Sequence, residues 1–518
     1  MKLGGAIVVC CVVSVGLTGS GQSRNRNYVK ESVMTVRFKE NPCTDYDMAR
    51  STVRYFDGLG RPVQSAQVGG SYAVLDIVSA SEYDGSGRPY KSWLPVESTY
   101  AGGDFIDNHT VNSYAVSIYD DNSPYSIIEY DRTPDRRDIA TYYPVEEWKQ
   151  GRKRTSTMRG FNASGDALFG CTRYDANLDG SLIKNGEYDN GRLSFVDFTD
   201  EDGIRTIKFY NTEEQLVLER KVGVQTHLET YFVHDVIGRL TYIIPPKAAL
   251  AFTDLKNGEC DSQTVKELCF YYKYDQYNRV IERRMPGCEP ELLVYDKLDN
   301  IALRQDGNLR KESKWRVIKL DRNLRLAVEG IAAITGQTQA SLQEQWKNKL
   351  AIESTQPALA NWQNMFYTDT CGLADFKPLV AYFYDDYDFW DKTVGEPLPS
   401  DDNYSEPWGN AMGRLTGKAV WEGNVVLLTA YKYDERKRLV MECSYDLDKF
   451  DNYSTLYKYN FGGDMIGKKS FYNSSDLSIH YTSEYKYDYD NWGRVMSVQH
   501  RLNGGDWTSL YHLNSATL

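Results

Sequence analysis

Oxygen-bearing side chains at alternate positions are the first residues in this 518-residue chain whose spacing suggests chemistry. In Asp175 to Glu187 (DANLDGSLIKNGE), Asp175, Asn177 and Asp179 precede Gly180 as in a calcium loop, which presents side-chain oxygens every second residue. Such a loop closes on a bidentate Glu at its twelfth position; Gly186 holds that place here and Glu187 follows it. The alternative is a turn rich in Asp and Gly between two strands. Gly462 to Lys469 (GGDMIGKK) has the Gly and Lys spacing of a phosphate-binding loop, but Lys469 stands where Ser or Thr would hold magnesium, and strand-to-helix context is lacking. The adjacent acids Asp385 with Asp386 and Asp401 with Asp402 offer the two carboxylates a glycosidase needs, although a chain with 72 acidic residues carries such pairs as solvated loop charge. The histidines (His109, His227, His234, His480, His500 and His512) fall in no H-E-x-x-H, and no G-x-S-x-G marks a nucleophile. Trp408 and Trp421 are candidate stacking faces for a sugar ring.

The elements that carry these residues are hairpins. RYFDGLGRPVQ, Arg54 to Gln64, reads as a strand, a turn from Asp57 to Gly60, and a second strand leaving through Arg61. Asp at the first turn position accepts free N–H groups, and Gly at the fourth tolerates the left-handed backbone that closes the turn. The unit returns at Asp84, Gly87 and Arg88, 27 residues after Asp57, and again at Asp235, Gly238 and Arg239 and at Asp490, Gly493 and Arg494. Further copies begin at Asp275, Asp296, Asp434 and Asn460, and Tyr188 opens a shortened one whose Asn190 and Gly191 suit a two-residue hairpin turn. The fourth position is mostly Gly, Asn or Asp, which accept positive φ at least cost, so one backbone is shared. Lys437, and Leu324 in an eroded copy, break this rule and predict strain or a different turn. Tyr431 and Tyr433, like Tyr457 and Tyr459 or Tyr487 and Tyr489, are two apart, which puts both rings on one face of a strand and predicts a tyrosine ladder across neighbouring hairpins.

The composition fits sheet: 40 Tyr against 18 Phe suits half-wet faces where a ring packs and its hydroxyl reaches a partner. A net charge of -12, with no basic run longer than Arg152 to Arg154, excludes a nucleic-acid surface. MKLGGAIVVCCVVSVGLTGS reads as a signal peptide, too short to span a membrane comfortably, and no later segment is apolar for long enough to cross one. The chain is therefore expected outside the cytoplasm, in the periplasm, at the cell surface or beyond. Cys43, Cys171, Cys260, Cys269, Cys288, Cys371 and Cys443 are scattered without C-x-x-C, giving neither a disulfide framework nor a zinc ribbon. One bridge, such as Cys260 with Cys269, is an option; buried thiols are favoured. Ser341 to Phe366, with Leu342, Trp346 and Leu350 at four-residue steps and Ser341 with Glu344 as a capping box, predicts a helical insertion docked on the sheet.

Taken together, the copies resemble the YD repeats of bacterial Rhs proteins. Val53 to Pro95, with YFDGLGRPVQ and YDGSGRPYKSWLP, is similar to the domain of unknown function that precedes such repeats in secreted Gram-negative members. TDEDG at Thr199, IIPPKA at Ile243 and RQDGNLR at Arg304 fit the same family. The fold class expected is mainly β, with antiparallel hairpin repeats in a long coiled sheet, an incomplete Rhs-type shell, and a small helical insertion. The organisation expected is a signal peptide over 1–20, an N-terminal domain over 24–160, hairpin repeats over 161–336, the insertion over 337–370, and further repeats over 371–518 that end mid-repeat. The resemblance implies a non-enzymatic, exported, encapsulating scaffold of the polymorphic-toxin or cell-surface type. No Asp-Pro dipeptide occurs, so the family's C-terminal core with its cargo is expected as a missing or separately encoded partner. No cofactor is implied beyond the calcium candidate. A surface carbohydrate-binding module is the alternative reading, and a glycosidase the third.

Overall fold

In the computed structural model, residues 26–34, 49–71, 73–100, 102–132, 137–150, 153–177, 180–224, 226–354, 367–368, 371–373, 375–395, 398, 400–405, 407, 409–423, 425–474, 480–490 and 492–512 are described. Residues 1–20, expected as a signal peptide, and Cys43 lie outside them. A lone hairpin has nothing to bury its apolar face against, so hairpins of this kind must be joined edge to edge. Among the described residues 29 strands form one antiparallel sheet, and three more form a separate small one. The sheet starts at Asn27–Met34, which pairs with Ala49–Phe56, and runs on to Pro62–Gln67 and Asp76–Tyr83. There it divides: the start of Asp76–Tyr83 pairs with Val96–Ser98 and its end with Pro89–Trp93, from which the sheet continues. From Thr155–Phe161 it passes to Ser194–Thr199 and then adds strand after strand to Thr508–His512.

One face of this strip carries the core. Cross-strand partners Val53, Ala66 and Val78 are buried, as are Phe195, Phe209, Leu218, Tyr231 and Ile244, and then Ala381, Ala419, Leu428 and Tyr445. The face is covered by four local plugs. The helix Asn108–Tyr119, capped by Asp107, sets Val111 and Ala115 against Ala66, Val78 and Trp93. The small sheet (Thr172–Ala176, Leu182–Glu187 and Gly258–Glu259), with the helices Pro246–Ala251 and Ser262–Leu268, covers the strands around Phe209 and Tyr231. The helix Gln339–Trp346 covers Val294, Leu303 and Val317 through Leu342 and Trp346. Phe389 and Trp390, on the single turn Asp388–Asp391, cover Ala381 and Phe383. The strip also coils, as twisted sheets do. Its first hairpins meet its last: Arg50 pairs with Asp464 at 2.9 Å, and Trp492 Nε1 donates to the Val68 carbonyl at 3.2 Å.

Several expectations are corrected. Tyr188 opens no hairpin: Leu182–Glu187 belongs to the small sheet and Ser194–Thr199 to the large one, and Asn162 ties the link by donating to the carbonyls of Tyr188 and Asp189 and accepting from the Leu193 amide. The inserted helix is capped by Thr338, whose hydroxyl accepts from the Ser341 amide at 3.2 Å, so Ser341 is not the cap. It ends at Trp346; Leu350 is exposed, and 355–366 lie outside the described residues. Cys260 and Cys269 are the buried free thiols favoured from sequence, in one apolar cluster, whereas Cys288 is free but exposed. Under the insertion, Lys319 and Glu353 form an ion pair at 3.4 Å with neither side chain exposed, a contact no spacing rule foretells.

Candidate functional site

The recurring turn is a three-residue loop closed by a residue with positive φ, the arrangement that gives a bulged hairpin. At the first copy the Asp57 amide donates to the Arg61 carbonyl (2.9 Å) and the Gly60 amide to the Asp57 carbonyl (3.1 Å), with φ 78° at Gly60. Asp57 Oδ1 accepts from the Leu59 and Arg61 amides, and Oδ2 from Arg61 Nε at 2.7 Å. Asp84 with Gly87 and Arg88, Asp235 with Gly238 and Arg239, and Asp490 with Gly493 and Arg494 repeat this pattern. So do Asp275, Asp321 and Asp434. Leu324 (φ 59°) and Lys437 (φ 70°) keep the same turn, so the misfit appears as left-handed strain rather than as a different loop. Hydrogen bonds from the Arg88 amide and guanidinium hold Asp84 at about 2, below the usual carboxylate range. At Asp235 partial burial pushes upward, yet the Arg239 hydrogen bonds outweigh it and the net shift is down.

Where the first turn residue is preceded by a tyrosine, rather than by Phe56, His234 or Leu320, that tyrosine joins neighbouring hairpins. Its hydroxyl donates to the carbonyl just after the arginine position of the hairpin before it: Tyr83 to Pro62, Tyr130 to Pro89, Tyr274 to Leu240, Tyr295 to Val280, Tyr384 to Leu326, Tyr433 to Leu415, Tyr459 to Leu439 and Tyr489 to Met465. That earlier arginine lies over the tyrosine ring. Arg61 is 4.3 Å from the Tyr83 centroid, Arg88 4.0 Å from Tyr130, Arg325 4.1 Å from Tyr384 and Arg438 4.7 Å from Tyr459. The predicted ladder is thus a chain of phenol-to-carbonyl bonds, most of them covered by a guanidinium.

Joints whose arginine position holds another residue depart from this form: Asn300 after the Asp296 turn, with Leu320 at the next tyrosine position, Ile204 after the Asp200 turn, and two joints that follow a turn beginning with Asn. At Asn460 the arginine position is Asp464, and the guanidinium comes instead from Arg50. At Asn211, a copy the sequence reading missed, the arginine position is Gln215 and the next tyrosine position is His234. Tyr210 before Asn211 was the available signal, the same pair as in the Asn460 copy. Gln215 accepts from Asn211 Nδ2 at 2.9 Å and donates to the Gly238 carbonyl at 2.8 Å. Shorter side chains leave a polar cavity of about 170 Å³, lined by Gln215 and His234 and by Tyr174, Asp175 and Tyr188 of the small-sheet plug. His234 is half-buried, and that burial lowers its pKa against the opposing pull of Asp235 and Glu213.

The other candidates are dispersed. Asn177 and Gly180 form a further copy of the turn (Asn177 amide to Ser181 carbonyl 2.9 Å, Gly180 amide to Asn177 carbonyl 3.0 Å, φ 88° at Gly180). Asp175 accepts from Arg173 and Asn185, Asn177 Nδ2 donates to Ser181, and Glu187 turns to Ser164 and the Gly165 amide. Asp179 lies outside the described residues, among which no group of three His, Cys, Asp or Glu side chains is arranged for a metal. Gly462 and Gly463 sit in the Asn460 turn and lead into the strand Met465–Asn473, while Lys469 binds Asp401 at 2.7 Å. Asp385 is clamped by Arg325, whose hydrogen bonds lower its pKa; burial raises that of Asp386. His500 meets Ser483 Oγ at 2.9 Å, and the His480 side chain lies outside the described residues. Trp421 is half-buried against the core around Leu428, and Trp408 lies outside the described residues.

The architecture is therefore a long antiparallel hairpin sheet, coiled and not closed into a barrel. Residues 29–161 match the family model described as a domain of unknown function, DUF6443. Among solved structures, the chain is similar to a TcdB2–TccC3 crystal structure at 12% identity over 93% of its length, with a TM-score of 0.41. It is similar to the Tc holotoxin pore of Photorhabdus luminescens at 12% identity over 93%, with a TM-score of 0.36. The chain spans 22% and 26% of those two chains, respectively. No curated protein sequence matches it.

Proposed function

We propose that the chain is a non-enzymatic, exported scaffold, the N-terminal part of an Rhs-like shell protein whose coiled sheet encloses or displays a partner polypeptide. One observation carries this reading: a single continuous sheet whose first hairpins touch its last, through Arg50 with Asp464 and Trp492 with Val68. The side chains with the most chemistry, the turn aspartates, arginines and tyrosines, are consumed in joining hairpins. The partner in this reading is the C-terminal core of such a shell with its cargo, supplied by a longer or a separate chain, and no cofactor takes part.

Small-angle scattering and negative-stain microscopy of the purified chain test it. A curved, open particle with a strand-dominated circular dichroism spectrum is expected, and a compact, mainly helical particle overturns it. Cell fractionation tests the export. Polysaccharide hydrolysis or glycan-array binding would move the reading towards the enzyme or the carbohydrate module.

A further inference from the structure

The joints make a comparison set. In a complete joint the guanidinium of one hairpin lies against the closing glycine of the next: a Cβ on Gly87 would come within 2.7 Å of Arg61 Nη1. At the Asn460 joint the chain supplies no arginine of its own at that position, yet the place is filled. A Cβ on Gly493 would come within 2.7 Å of Arg50 Nη2, and Arg50 lies 414 residues from its partner Asp464. At this joint the missing arginine is thus supplied from elsewhere in the chain. At the Asn211 joint the equivalent position beside Gly238 is reached by Gln215 Nε2 (2.8 Å) and Glu213 Oε2 (3.3 Å), and the cavity opens next to it.

We propose that this cavity is a binding site for a guanidinium group, presented as an arginine side chain by a polypeptide partner. Three carboxylates line it, those of Asp175, Glu213 and Asp235. Asp175 is paired with Arg173 and Asp235 with Arg239, which leaves Glu213 as the carboxylate with no ion pair among the described residues. One cation neutralises the site. Burial keeps His234 neutral near pH 7, so the imidazole does not compete for that charge. Tyr174 and Tyr188 also line it. A planar, forked donor suits carboxylate acceptors better than an ammonium, which is a compact and strongly hydrated point charge. The volume of about 170 Å³ leaves space for waters beside it, each taking about 30 Å³ in the liquid. The site does not depend on what the sheet encloses.

Titration calorimetry of the full chain with N-acetyl-L-arginine amide tests the site, with N-acetyl-L-lysine amide as the control of equal charge. Millimolar binding of the arginine probe is expected, with the lysine probe weaker by about tenfold, which corresponds to about 1.4 kcal/mol. Glu213→Gln is exposed enough to leave the fold intact, and it is expected to weaken binding by a similar factor. The pair Gln215→Arg with His234→Tyr rebuilds the common joint and is expected to abolish binding while raising Tm. Equal binding of the two probes, unchanged binding in Glu213→Gln, or no heat with the arginine probe well above millimolar concentration overturns the site.

Discussion

The joint from Asp434 to Tyr459 and the joint from Asn211 to His234 share one backbone and differ in their filling. In the first, a carboxylate holds Arg438 and the guanidinium covers Tyr459, whose hydroxyl reaches the Leu439 carbonyl at 2.8 Å. In the second, a neutral Asn211 and Gln215 pair keeps the same turn, with φ 61° at Glu214, but no phenol crosses to the neighbouring hairpin. The hairpin is therefore specified by the first turn residue and the left-handed fourth. The arginine and tyrosine specify how tightly one hairpin holds the next. At the Asn211 joint, where Gln215 and His234 replace them, a cavity takes their place.

The largest break in this comparison is expected from the turn carboxylate. Asp434→Ala removes two amide acceptors and strands Arg438, at a cost of about 3 kcal/mol, whereas Asn211→Ala, which strands no charge, costs about 1 kcal/mol. Hydrogen exchange of the amides in each turn reads the two losses locally, which suits a long array better than a single global melt. Tyr459→Phe keeps the ring under Arg438 and removes the bond to the Leu439 carbonyl. It is expected to cost about 1 kcal/mol, seen as faster exchange between the Asp434 and Asn460 hairpins. Equal exchange in wild type and variant would reduce the phenol to packing.

Relief of strain works in the opposite direction. Leu324 holds φ 59°, and Leu324→Gly is expected to raise stability by up to about 1 kcal/mol, the left-handed penalty of a side chain less glycine's extra chain entropy. A lower Tm in that variant would mean that the half-exposed leucine contributes packing worth more than the strain. The smallest effect expected is in pH dependence. The His234 pKa is lowered in the folded chain, so below its ordinary value the unfolded chain binds the proton first. Its contribution is full above that value and is lost as pH falls through about 6.5 towards the lowered folded pKa. Replacement by Tyr, the common residue, is expected to flatten the pH profile of Tm there. The turn aspartates act lower: Asp84 contributes above the ordinary carboxylate value and loses its contribution as pH falls to about 2.

The turn was legible because its code is local. Asp57 satisfies amides two and four residues on, so residue type and spacing are enough to read it, and the same holds at Asp84, Asp235 and Asp490. The ladder was legible only in part. Tyrosine spacing is visible, but the acceptor is a backbone carbonyl, which any residue at Pro62, Leu240 or Met465 supplies without a signature. The Asp189 region misled because its residues suit a tight turn, whereas the choice between hairpin and link was made by Asn162, more than 25 residues earlier. Thr338 was passed over as a cap because Ser341 satisfies the same side-chain rule, and only the backbone direction separates them.

By itself the sequence determined the unit, its repetition and the mainly β class, because all three rest on contacts within a few residues. Only the tertiary structure decided the rest: which plug covers which stretch of the sheet, that Arg50 completes a joint 414 residues away, and that the Asn211 joint is left with a cavity. The physical reason is that coiling brings together strands whose separation along the chain bears no relation to their separation in space. A guanidinium binds the nearest carboxylate, whichever hairpin carries it.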